Sequence, residues 1–196
     1  GTLATSANLS SARDIILTGA GTIATQDATV FTYEGQFSGP GALTKDGTGE
    51  LVVTGDNAAF VSDVRVADGT LTVEGSLGGA VSIASSGHLG GSGRVGGITN
   101  SGVVAPGSSI GTLTVAGDYI GDGGILEIEA ELGGDDSPAD RLVVEGATSG
   151  STLVTVTNLG GVGGATVEGI KIVDVARASD GTFALDGDYA LGGEQV

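Results

Sequence analysis

The 196-residue chain carries 24 acidic against 7 basic side chains, a net charge of −17, and fits one domain or one elongated repeat array. That charge repels phosphate backbones and anionic lipid, so nucleic acid is excluded as a partner, and the scattered acids read as a solvated surface. Three Tyr, four Phe and no Cys, Met or Trp exclude a core of large side chains, disulfides and thiolate metal sites. The 39 glycines accompany 39% hydrophobic residues at regular positions, which separates the chain from a disordered low-complexity tail.

Taken in chain order, the first alternating pair is Ile15/Leu17. Next come three copies of one phrase, GELVVTG (49–55), GTLTVEG (69–75) and GTLTVAG (111–117), with apolar pairs Leu51/Val53, Leu71/Val73 and Leu113/Val115. Looser copies follow at Leu126/Ile128 and Leu142/Val144. Alternation at period two predicts strands with one buried face. The first two copies start 20 residues apart, and the third lies 42 further on, about two steps of 21. Such a period marks a solenoid. Gly/Asp/Asn/Ser clusters bound every run, as in Asp46-Gly47-Thr48-Gly49 and Gly90-Gly91-Ser92-Gly93, and supply sharp corners. No helical periodicity of useful length occurs.

Short strands, sharp corners and a winding of about 20 residues predict an all-β, right-handed parallel β-helix over residues 1–159, with roughly six or seven rungs between residues 15 and 145. An antiparallel sandwich is the rival, but its strands recur every 8–12 residues. After Gly160-Gly161-Val162-Gly163-Gly164 the runs lengthen to EGIKIVDVA (168–176) and TFALDGDYAL (182–191). With Asp180-Gly181 between them they predict a C-terminal antiparallel hairpin within 160–196, laid across the end of the coil as a cap.

Residues 21–60 resemble the autotransporter-associated strand repeat, with Phe60 at its aromatic position but Val61-Ser62-Asp63 in place of the expected Gly and Thr. VVAPGSSIGTLTVAGDY (103–119), ADRLVVEG (139–146) and the step into IKIVDVARASDGTFAL resemble the C-terminal, pertactin-like part of autotransporter passengers. Ala105-Pro106-Gly107-Ser108-Ser109-Ile110-Gly111 is the most specific element, because β-helix physics does not force its order. The resemblance implies an excised piece of a larger Gram-negative protein, exported through the periplasm to the cell surface. It implies an outer-membrane β-barrel as the chain's own partner.

Candidate chemistry is sparse. No signal-peptide pattern and no apolar run near the roughly 20 residues of a spanning helix is read in these residues. The sole histidine, His88, sits among glycines and reads as a solvated corner residue. Asp135, Asp136 and Asp140 in GGDDSPAD could offer oxygens to calcium, but the Gly-Gly-x-Gly-x-Asp repeat is not met, and a surface loop turned by Pro138 is the plainer reading. No catalytic, cofactor or metal residue is assigned. The expected role is a folding template and stalk for secretion. Leu71, Val73, Leu113 and Val115 would form its stacks, Pro106 and Gly107 a corner, and Ile170, Ile172, Val175, Phe183 and Leu185 the cap. The alternatives are an adhesin or self-association surface, meeting a host surface or sister passengers, and a polysaccharide-cleaving enzyme.

Overall fold

Each alternating run becomes a short strand whose apolar residues face inward, as in Gly69–Val73, where Leu71 and Val73 are fully buried and Thr70 and Thr72 are not. A lone strand of this kind cannot satisfy its backbone, so each pairs in parallel with its counterpart one winding away. The computed structural model describes residues 1–186 together with Ala190–Leu191 and Glu194–Gln195. It is a parallel β-helix with three faces, and each winding carries one strand per face as far as Val115. The first and second faces belong to one 15-stranded sheet. The third begins with the pair Ile15–Ile16 and Phe37–Ser38 and continues as a 6-stranded sheet from Asp56–Asn57 to Val173–Val175. Among the described residues eight windings are complete, the sixth ending at Val115, the seventh at Val144 and the eighth at Val175, and a ninth starts where Ser179 bridges Thr148 and Thr182–Leu185 pairs with Ser151–Val154.

Register makes continuous columns inside the coil. On the second face Leu9, Phe31, Leu51, Leu71, Leu89, Val104, Leu126, Val154 and Leu185 lie one above another. The interior members are buried, whereas Leu9 and Leu185, at the two ends, are 46% and 48% exposed. On the third face the column runs Leu77, Val95, Val115, Val144, Val175, with Leu113, Leu142 and Val173 beside it. Burying one such Leu or Val is worth about 1.5–3 kcal/mol.

Two expectations need correction. The phrase 111–117 is not a third copy in the column of Leu51 and Leu71. It lies on the third face, paired with Arg141–Val144. The windings shorten here: Leu89 follows Leu71 by 18 positions and Val104 follows Leu89 by 15, so two windings end at Val104. The remaining residues carry the chain around the corner to Leu113. Alternation encodes inside and outside, not which face. Likewise, the strands expected to form a hairpin do not pair with each other. Val173–Val175 pairs in parallel with Leu142–Val144, and Thr182–Leu185 pairs in parallel with Ser151–Val154. Asp180-Gly181 forms a coil corner, where Thr148 N donates to Ala178 O at 2.8 Å and Asp180 N donates to Thr148 O at 3.1 Å. The open edges of windings seven and eight offer apolar columns that Val173, Val175 and Leu185 extend, and a hairpin would leave those edges unpaired. Antiparallel pairing occurs further on, between Ala190–Leu191 and Glu194–Gln195. Residues 187–189 of the second expected strand lie outside the described residues.

The glycine content follows from the corners. Gly35, Gly55, Gly75 and Gly93 occupy the corner between second and third faces in successive windings. A Cβ on Gly75 would lie 2.3 Å from Gly55 O and 2.5 Å from Thr54 O. Only a bare Cα allows the backbone of one winding that close to the next. Several inward positions are polar, and Lys45 is the charged one within a strand. Lys45 sits between Ile23 and Val66, and its Nζ donates to the carbonyls of Asp46 (3.0 Å), Gly47 (2.6 Å) and Asp68 (3.0 Å) at the next corner. Burial lowers its pKa from the usual lysine value, against the opposing pull of Asp68, Asp46 and Glu50.

Gly75→Ala is therefore expected to cost about 2–4 kcal/mol, read as a lowered urea midpoint. Gly19→Ala, whose added Cβ meets nothing within 4 Å, should stay within about 0.5 kcal/mol. Equal midpoints for the two variants would contradict the stacked corner.

Candidate functional site

The C-terminal windings differ from those before them. Most strands here span two to five residues, but Tyr119–Ala130 and Thr148–Asn158 run for 12 and 11 and turn from the first face onto the second without a break. They pair over ten residues, from Tyr119↔Thr148 to Ala130↔Asn158, with one register shift between Asp122 and Ile125. Sequence supports the length: Leu126, Ile128 and Ala130 alternate inward without a glycine among residues 125–130. This pair is the longest ladder between two windings among the described residues.

Polar side chains thread the core beside it. Asn100 Nδ2 donates to Tyr119 Oη at 3.0 Å and to Ile125 O at 3.0 Å, and its Oδ1 accepts from Gly102 N at 3.1 Å. Tyr119 Oη also lies 3.0 Å from Thr152 Oγ1. Windings six, seven and eight are thus joined through their interior. Phe183 of the ninth winding stacks against Tyr119 with ring centroids 5.6 Å apart. Burial raises the Tyr119 phenol above its usual pKa of 10.0, against the opposing bonds from Thr152 and Asn100.

The acidic loop is tied to backbone. Beyond Ala130 the chain leaves the coil and returns antiparallel, with Glu131 N donating to Pro138 O and Ala130 bridging Ala139. The return delivers Asp140 into the interior, where it is 2% exposed. One carboxylate oxygen accepts from Glu129 N at 2.8 Å and the other from Gly111 N at 2.8 Å. Burial raises the Asp140 pKa, and the two amides pull it back down. Asp135, on the same loop, accepts from Val167, Glu168 and Gly169 N at 2.9–3.2 Å, and these amides hold its carboxyl below the usual aspartate value. Asp135 and Asp140 oxygens therefore meet donors, whereas Asp136 is exposed.

The residues singled out from sequence fall in several places. Leu71 and Val73 lie in the second face, Leu113 and Val115 in the third, all fully buried. Pro106 is buried, and Gly107, at φ 87°, turns the chain beneath Asp140: a Cβ there would lie 2.8 Å from Asp140 Oδ1. Ile170, Ile172, Phe183 and Leu185 line one cleft of about 380 Å³ with Val154 and Val156, while Val175 belongs to the third-face column. Phe183 is half-buried. His88 is not at a corner. It lies within the strand Gly87–Gly91, pointing outward between Thr70 and Val103. Sequence reasoning missed the Asn100 thread and the partners of Lys45 and Asp140. The available signal was polar residues at inward positions of an alternating run, as in Leu43-Thr44-Lys45 and Ile98-Thr99-Asn100.

Comparison with known proteins converges on the same region. Residues 94–195 match the profile of the family described as Autochaperone Domain Type 1. The whole chain is 45% identical over 197 residues to the adhesin BmaC autotransporter of Brucella suis biovar 1 (strain 1330), of which it spans 6%. It is 37% identical over 190 residues, 88% of the chain, to the probable autotransporter YfaL of Escherichia coli (strain K12), of which it spans 13%. It is also 37% identical over 133 residues, 65% of the chain, to an extracellular serine protease of Serratia marcescens, again 13% of that protein. The chain thus corresponds to a small part of each relative.

Tyr119→Phe should cost about 0.5–1.5 kcal/mol at neutral pH through the lost hydroxyl. Because the folded phenol titrates above the unfolded one, the stability it adds is complete below pH 10.0 and is lost as pH rises through its folded value. The gap in urea midpoint between parent and Tyr119→Phe should therefore hold steady below pH 10.0 and narrow above it. A constant gap through higher pH would contradict the buried phenol.

Proposed function

The chain belongs to the Autochaperone Domain Type 1 family, and from that premise we propose that its windings from residue 94 onward are the folding template of an exported β-helical passenger. The observation that carries this reading is the pair Tyr119–Ala130 and Thr148–Asn158, joined at ten residue pairs with one register shift. Closing a winding costs loop entropy before any ladder bond forms, and a long paired strand repays that cost earlier than a two-residue one. Once formed, the pair exposes an edge of N–H and C=O groups on which the next winding can add. Each addition needs only nearest-neighbour contacts.

Passage through an outer membrane has no nucleotide hydrolysis outside the cell to drive it. Stepwise stacking supplies a free-energy slope instead: each winding that folds outside cannot slip back. The template therefore works at the C-terminal end of the passenger, next to its own translocating barrel, and the windings before residue 94 are the first rungs of the stalk. The relatives' names as autotransporters support placement at the surface of a Gram-negative cell. No catalytic residue is assigned, since the Serratia enzyme matches over only 13% of its own length.

A second reading, adhesion, is favoured by the Brucella relative's name. Its surface would be the outward rows of the ladder, such as Thr2, Thr22 and Thr44 on the first face, offered to a host surface or a sister passenger.

Deleting residues 103–191 from the full-length protein separates these readings. The template predicts loss of protease-accessible passenger at the cell surface. Undiminished display with lost cell binding would overturn it in favour of adhesion.

A further inference from the structure

The third face is interrupted at one joint. Phe37–Ser38 of winding two pairs with Ile15–Ile16, and the ladder that starts at Asp56–Asn57 of winding three runs on to Val173–Val175. Phe37–Ser38 and Asp56–Asn57 form no ladder with each other. The next joint shows what is missing. There Ser76 N donates to Gly55 O at 3.1 Å and Gly78 N to Asn57 O at 3.0 Å. By the same pattern Asp56 N would donate to Gly35 O and Ala58 N to Phe37 O. Instead Ala58 N donates to Asp56 Oδ1 at 3.1 Å. The backbone of Asn57 faces winding four, its N–H donating to Ser76 Oγ at 2.8 Å and its C=O accepting from Gly78 N, and does not serve winding two. Gly35 O and Phe37 N, at a corner where Phe37 and Phe60 are buried, still need partners.

We propose that the side-chain amide of Asn57 stands in for the missing strand and is the group that positions winding two on winding three. Asn57 is 2% exposed. Its Oδ1 accepts from Phe37 N at 2.5 Å, and its Nδ2 donates to Gly35 O at 3.4 Å and to Gly55 O at 3.2 Å. In a parallel ladder, the peptide opposite Gln36 would accept from Phe37 N and donate to Gly35 O. The Asn57 amide makes both of these bonds. A carboxamide is the side chain that carries the peptide's own pairing of C=O with N–H. Its orientation is fixed by its partners: turned over, the NH2 would face the Phe37 N–H and Oδ1 would face two carbonyls.

The rings at this joint account for the need. Phe37, Asn57 and Leu77 each lie two residues beyond a corner glycine, at Gly35, Gly55 and Gly75. Phe37 has its ring centroid 4.3 Å from that of Tyr33 and 5.7 Å from that of Phe60. An aromatic layer thus replaces the aliphatic column that later windings carry. Asn57 keeps winding two attached across that layer. On its other edge the same segment is tied to winding one, Gln36 N donating to Asp14 Oδ1 at 2.9 Å and Ile15 N to Gln36 O at 3.0 Å. This role goes beyond the template reading, since the joint must hold wherever folding begins.

An Asn that merely filled space would be replaced without loss by Leu, the residue paired with it in winding four. Two measurements on the 196-residue chain decide between these roles. In the parent, NMR should show a scalar coupling across the hydrogen bond, between the Phe37 amide nitrogen and the Asn57 side-chain carbonyl carbon. In Asn57→Leu, hydrogen-exchange protection should fall at least about tenfold at Phe37 and at Thr54, which donates to Tyr33 O in the same joint, while Gly93 and Arg94 of winding five stay within about twofold. Parent-like protection at Phe37 in Asn57→Leu, or no coupling in the parent, would overturn the proposal. The coupling keeps it falsifiable if the variant does not fold. An equal loss at all four amides would make Asn57 a general stabiliser of the coil and would also overturn it. Surface display of the protein lacking residues 103–191 is untouched by any of these results, so the template reading is decided separately.

Discussion

The constraint on which the molecule depends is that no winding can satisfy its own backbone. Every strand N–H and C=O on a coil edge needs the adjacent winding, and every inward Leu or Val is dry only when another lies above and below it. Leu71 is buried because Leu51 and Leu89 flank it, whereas Leu9 and Leu185, which have one neighbour each, are nearly half exposed. Stability is therefore shared along the axis rather than gathered in one core, and the order in which windings form becomes a functional property.

The unusual composition answers this constraint. A slender interior takes one aliphatic side chain per strand position, which leaves little use for Trp or Met. Among the described residues the aromatics gather in two places. Phe31, Tyr33, Phe37 and Phe60 pack in one series, with successive centroids 6.0, 4.3 and 5.7 Å apart, and Tyr119 and Phe183 pack near the other end. Corners bring backbone against backbone, which only glycine permits. Some polar side chains in the interior bind several windings at once, as in the Asn100–Tyr119–Thr152 thread.

Period-two alternation and the near-20-residue repeat made the coil legible, and the column Leu51–Leu71 follows directly from them. The face of each strand was not legible, because winding length varies and Leu-Thr-Val fits any face. That is why 111–117 resembled 69–75 yet lies on another sheet. The expected hairpin failed for a related reason: Asp180-Gly181 suits a corner of the coil as well as a turn between antiparallel strands. At the candidate site, Pro106, Gly107 and Asp140 each stood out separately, but their meeting depends on an excursion from 131 to 139 that carries no periodic signal. Ile170, Ile172, Phe183 and Leu185, expected in a cap, line a cleft at the coil end.

The longest paired element among the described residues, Tyr119–Ala130 with Thr148–Asn158, lies in the C-terminal windings. Pulse-labelled hydrogen exchange during refolding of the intact chain tests this account most directly. Amides in 119–130 and 148–158 should gain protection first, with 64–73 and then 21–33 following in later pulses. Simultaneous protection of all windings, or earliest protection at 21–33, would contradict it.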